Sequence, residues 1–296
     1  MPVHALPSLM VLGSIWGLTP ALAKLALAGG MPPLGYGFWA ALGSGGLLAL
    51  ICAARGIAIS WDRAHLRYYF AAGLAGFAMA NLIAYTALPH IPAGFFALLM
   101  PLVPIFTVLG AALLGEERIS ARSLGGTLLG LTGVGLAMAP GAALPDASML
   151  GWALFAALCP LCYAISNLVG VRWAPRGTPP LAAACGTLLT ASVLMAAMGL
   201  AFGQFHIPGS LAWQIEALLP LQGALTALAY MLYFRLLVSR GSVVTSQSGY
   251  IVTLTGVAWG AILFGERMGL LALPAALLVL GGLFLVTRRD GRHSRR

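Results

Sequence analysis

Leu113-Leu114-Gly115-Glu116-Glu117-Arg118 and Leu263-Phe264-Gly265-Glu266-Arg267 are the same turn written twice. Each closes a long apolar run, and each is followed by a second run rich in Gly and Leu. A further correspondence links Met31-Pro32-Pro33-Leu34 to Thr178-Pro179-Pro180-Leu181. Internal repeats decide how a whole chain is read. These two align residues 1–145 with residues 146–296 as two halves.

The runs on either side of these turns are too apolar for water. Of 296 residues, 60% are hydrophobic and 8% charged, where soluble proteins carry about 25% charged residues. A membrane-spanning helix needs about 20 mostly apolar residues. Turn and charge signals divide the chain into ten such stretches: 6–28, 34–54, 68–88, 92–114, 122–140, 149–171, 179–203, 214–238, 242–264 and 270–287. The expected fold is an all-α integral membrane protein with ten transmembrane helices. The first stretch has no Lys or Arg ahead of it and is long enough to span, so it reads as a retained helix and not a cleaved signal.

Basic residues set the orientation. With the N-terminus inside, Arg55, Arg63, Arg67, Arg118, Arg122, Arg172, Arg176, Arg240 and the five arginines from Arg288 to Arg296 all fall on the cytoplasmic side. Arg267 falls outside, and Lys24 and Arg235 lie within spans. The positive-inside rule then puts both termini in the cytoplasm of a cell (inner) membrane. Five helices per half is an odd number, so the halves insert with opposite orientation. Inverted repeats with a site between them recur in secondary transporters.

The net charge of +9 belongs to loops and tail, so it reads as topology marking and lipid contact, with no nucleic-acid partner. Cys159-Pro160-Leu161-Cys162 has CxxC spacing, but no second pair and no neighbouring His. It reads as packing, and no metal or cofactor is expected. The histidines, His4, His65, His90, His206 and His293, stand at ends or in loops, which argues against hydrolytic chemistry.

Ten spans, five-plus-five halves and the Gly-Glu turn after spans four and nine resemble the EamA group of the drug/metabolite transporter superfamily. Trp16-Gly17-Leu18-Thr19-Pro20 with Lys24 is similar to that group's first helix, and Pro101-Leu102-Val103-Pro104 is similar to its fourth. In length and character the chain resembles the YddG-type aromatic amino acid exporters. The resemblance implies a central cavity lined by spans one, three, four, six, eight and nine, alternating access, and no hydrolysed cofactor.

Polar groups within lipid are costly and usually face a wet cavity or a partner helix. Trp16, Thr19 and Lys24 in span one, Asn81 and Tyr85 in span three, and Met100 in span four are therefore candidate substrate contacts. So are Tyr163 and Asn167 in span six, Tyr230 in span eight, and Ser246 and Tyr250 in span nine. Lys24 either snorkels or pairs, or attracts a substrate carboxylate. Asn81 and the polar ladders of spans eight and nine either line a pore or hydrogen-bond between helices. Trp16 and Tyr163 are expected as facing aromatic walls. Pro20, Pro101 and Pro104 are candidate hinges. Glu266 and Glu116 are expected to cap or pair locally, and Glu216 to be interfacial. Tyr36, Trp39, Tyr68 and Tyr69 are expected in an aromatic belt. Aromatic, amide and hydroxyl groups with one cation favour an amino acid or similar small metabolite, exported by a monomeric carrier. A sugar-like metabolite, a drug, or a channel are the alternatives.

Overall fold

The computed structural model describes residues 6–115, 121–139, 142–246, 248–267 and 269–287, with the side chains of residues 6, 234, 237–246 and 287 outside the described set. Every regular element among them is a helix. The helices are α1 (Leu6–Ala28), α2 (Pro33–Ala54), α3 (Arg63–His90), α4 (Ala93–Leu113) and α5 (Ala121–Ala137). The second half has α6 (Ala147–Trp173), α7 (Pro180–Ala201), α8 (Leu218–Ser246), α9 (Ser248–Phe264) and α10 (Ala272–Thr287). Among the described residues, seven helical stretches are long and apolar enough to cross a membrane. The chain is a multi-pass membrane protein.

The repeat is visible in the backbone. Left-handed glycines at Gly30, Gly56 and Gly115 recur at Gly177, Gly203 and Gly265, at matching places in the two halves. Only a residue without Cβ takes this conformation at little cost, so these glycines fix where the helices stop. The packing repeats too. α1 packs on α9 and α8, as α6 packs on α4 and α3, while α2 packs on α7 and α8, and α7 in turn packs on α3. α4 with α9 and α5 with α10 each pair a helix with its own counterpart. The α5–α10 seam is built on small residues: a Cβ on Gly126 would stand 2.8 Å from the Gly282 carbonyl, and one on Gly133 2.7 Å from the Val279 amide. Small residues allow such close backbone approach in lipid. Gly125 and Gly135, on the same helix, face open space.

The helices differ from the sequence reading in four places. α8 runs through the expected break near residue 240 to Ser246, and α9 begins at Ser248. α3 contains a π turn at Leu74–Met79. α4 and α6 are interrupted, at Met100–Pro101 and at Ala157. Proline explains the last pattern. Pro104, Pro160, Pro220 and Pro274 each stand third in a helical segment. There the missing N–H is one that a first turn leaves unpaired anyway, so the proline starts a helix and does not bend one.

Two belt assignments are corrected. Tyr36 and Tyr69 are fully buried: Tyr36 packs edge-on against Tyr85 at 5.1 Å, and Tyr69 lies where a Cβ on Gly186 would touch its ring. An aromatic next to a facing glycine fills the groove that the glycine leaves.

Candidate functional site

At one end of the bundle, the halves are tied by charge. Lys24 on α1 donates from Nζ to Glu266 Oε1 at 2.8 Å and to the Ile91 carbonyl at 2.8 Å, with its ammonium 4.9 Å from the centre of the Phe264 ring. Glu266 also accepts from the backbone N–H of Ala93 (2.7 Å, to Oε1) and of Gly94 (2.9 Å, to Oε2). The carboxylate thus caps the start of α4, where the helix dipole favours an anion. The side chains are 18% and 11% exposed. Lys24 is therefore paired and does not snorkel, and Glu266 pairs across 242 residues of sequence, not locally. Gly260 makes room: a Cβ there would stand 2.4 Å from Glu266 Oε2. Glu116, its counterpart in the repeat, lies outside the described residues.

Below Lys24, α1 is continuous through Pro20. Proline leaves the carbonyl four residues back without its helical donor. That carbonyl belongs to Trp16, and the Thr19 hydroxyl donates to it at 3.1 Å. One face of α1 is pressed onto α9. A Cβ on Gly17 would stand 2.3 Å from Thr255 Oγ1, and the Thr255 hydroxyl donates to the Gly13 carbonyl at 3.1 Å. Trp16 sits beside Tyr233 of α8, ring centres 5.5 Å apart, in a cluster with Leu12 and Ile15.

A second aromatic group comes from α2, α3, α6 and α8. Tyr163 packs in one cluster with Cys159 and Tyr85. Tyr85 in turn packs against Tyr36. Tyr230 adjoins Tyr233, and so Trp16. The tyrosines form an arc from α1 across α8 to α6, α3 and α2. Trp16 and Tyr163 stand in different packing clusters, Trp16 with Tyr233 and Tyr163 with Tyr85 and Tyr36, while Tyr230 packs in a third. Sequence reasoning missed Tyr36 as part of this arc, and its spacing to Tyr85 carries no signal.

The break at Met100–Pro101 redirects α4. Its first segment, Ala93–Leu99, packs on α9, and its second, Leu102–Leu113, packs on α6. Thr253 ties the first segment to α9 through the Ala97 carbonyl at 3.5 Å. Asn167 ties the second to α6, its amide donating to Thr107 Oγ1 at 3.3 Å. Asn167 is exposed. Asn81 spends its amide on its own helix, donating to the Phe77 carbonyl within the π turn at 2.9 Å. Its π turn is a feature often found at functional sites. Gln222 donates to Thr226 on the same helix at 3.3 Å, and among the described residues its Oε1 accepts no bond. Tyr250 lies half-buried on α9. The Ser246 side chain is outside the described set. Glu216 accepts from His206 and from the Gly209 and Leu211 amides, so it organises the loop ahead of α8.

The Lys24–Glu266 latch and the redirected α4 thus join α1, α4, α6 and α9 across the two halves. The EamA-like transporter family model matches twice, over residues 5–139 and 150–288. The chain belongs to the EamA-like transporter family. It is also 34% identical over 229 residues to an uncharacterized protein of Pseudomonas aeruginosa, covering 76% of this chain and 75% of that one. A crystal structure that is 21% identical covers 98% of this chain and all of its own, with a TM-score of 0.66, and shares the fold. As a member of the EamA-like transporter family, the chain is a membrane transporter of small solutes.

Proposed function

We propose that this transporter exports amino acids, or metabolites of similar size and polarity, by alternating access. Its ten helices cross the membrane as two oppositely inserted fives, with both termini in the cytoplasm. The paired packing of the halves and the arginine distribution support that topology. The observation that carries the reading is the change of partner in α4 at Met100–Pro101. Above the break α4 stays with α9, beneath the Lys24–Glu266 latch. Below it α4 leaves α9 for α6, and the exposed Asn167–Thr107 pair stands there. In this topology the protein is closed outward and splayed inward.

Tyr85, Tyr163 and Tyr230, with Trp16 and the Gln222 amide, offer stacking faces and hydroxyls to an amphipathic solute. Aromatic faces also attract the ammonium group of a zwitterion. The tyrosine-rich arc favours amino acids with large side chains, as in YddG-type exporters. A phosphorylated cargo would call for a cluster of cations. The test is uptake of labelled amino acids by purified protein in liposomes, with sugars and cationic drugs as competitors, with and without a pH gradient. Competition by aromatic amino acids is expected. Transport of a sugar or cation with no amino acid effect overturns the substrate assignment.

A further inference from the structure

A groove of about 790 Å³ lies on the outside of the bundle, where α3 meets α6 and α7. Its walls are apolar: Phe70, Leu74, Ile165, Val169 and Trp173. Arg63 and Arg67 stand at one end, one helical turn apart on the first part of α3. Arg67 lies over Trp173, its guanidinium 4.3 Å from the ring centre. Among the described residues no carboxylate pairs with either arginine. The nearest acid in sequence, Asp62, is occupied by the Ala64 and His65 amides and by the His65 ring. The far end is shut beyond Ala75, where Ser166 donates to the Ala72 carbonyl and a Cβ on Gly76 would stand 2.2 Å from Ser166 Oγ.

We propose that this groove binds one anionic phospholipid, its phosphate on Arg63 and Arg67 and one acyl chain along Phe70, Leu74, Ile165 and Val169. Length supports a lipid. Twelve residues of helix separate Arg63 from Ala75, roughly 18 Å at the usual rise, close to half of the ~30 Å hydrocarbon core. The groove is therefore one leaflet deep. Charge supports an anionic headgroup. Two guanidiniums one turn apart, with no carboxylate partner among the described residues, favour a phosphate that carries no compensating cation, and basic residues at a membrane surface select anionic lipid. Trp173 holds the Arg67 fork in place and is a usual residue at headgroup level. The bound chain would contact the π turn at Leu74 and Ala75 directly.

The test is native mass spectrometry of the delipidated full-length protein, titrated with phosphatidylglycerol and with phosphatidylcholine of the same acyl chains. The expected preference for phosphatidylglycerol is about thirty-fold, from two basic residues. It should fall to near unity in R63Q/R67Q. In I165W/V169W, which fills the groove and keeps both arginines, adducts of both lipids should be lost. Millimolar inorganic phosphate should displace neither lipid. Equal binding of the two lipids, or a preference retained in R63Q/R67Q, overturns the proposal. Displacement by inorganic phosphate would make the site a simple anion site and also overturn it. The readout is independent of transport, so it stands or falls separately from the substrate assignment.

Discussion

Removing the Lys24 ammonium should open the end of the bundle that it closes. In Lys24→Met, Glu266 keeps its two bonds from the Ala93 and Gly94 amides and loses its only side-chain donor in the described structure. Hydrogen bonds to charged groups contribute about 1.5–3 kcal/mol. Both side chains are mostly shielded, at 18% and 11% exposure, so solvent screening weakens this little. The helix N-terminus still compensates the carboxylate, which keeps the loss below the ~3–5 kcal/mol of a stranded buried charge. A shift of about 2 kcal/mol, or roughly thirty-fold toward the open state, follows. Spin labels at Ala28 on the end of α1 and at the 96% exposed Leu270 report it as a longer distance by pulsed electron resonance. The exchanged pair K24E/E266K should not restore closure, because it sets a cation against the start of α4. An unchanged distance distribution in folded Lys24→Met would refute the latch.

Three further pairs of substitutions separate structural roles. Pro101→Ala restores a donor at the break and should straighten α4, lowering transport at least tenfold, whereas Pro104→Ala, third in its segment, should change it less than twofold; initial rates in liposomes compare them. Gly17→Ala should destabilise by about 1–3 kcal/mol, because its Cβ would collide with Thr255 and the α9 backbone, while Gly46→Ala, which meets open space within α2, should stabilise by up to about 1 kcal/mol. Thermal unfolding in detergent reads both. Thr19→Val strips the Trp16 carbonyl of its hydroxyl donor and should cost about 1 kcal/mol in the same assay, an effect that Thr19→Ser should not reproduce.

The helices were legible because lipid demands long apolar runs, and the repeat because left-handed glycines are hard to replace. Gly115 and Gly265 mark the ends of α4 and α9, as the paired Gly-Glu turns suggested. Other features depend on contacts with no local signature. Glu266 resembles any helix-end acid until folding brings Lys24 and the start of α4 to it. Tyr36 and Tyr69 stand near helix ends, where tyrosine usually meets the headgroups, and only the facing helices bury them. Pro160 carried a readable signal for the interruption of α6, masked by the CxxC spacing around it. Pro101 and Pro104 looked alike in sequence, yet one sits in the break and the other in a first turn.

Counterflow in liposomes tests alternating access most directly. Vesicles loaded with unlabelled aromatic amino acid are diluted into a trace of the labelled compound. A carrier that exposes its site to one side at a time should draw label in transiently above its equilibrium level, with saturable initial rates. Label that rises only to equilibrium, at rates that never saturate, would mean an open pore and would contradict alternating access.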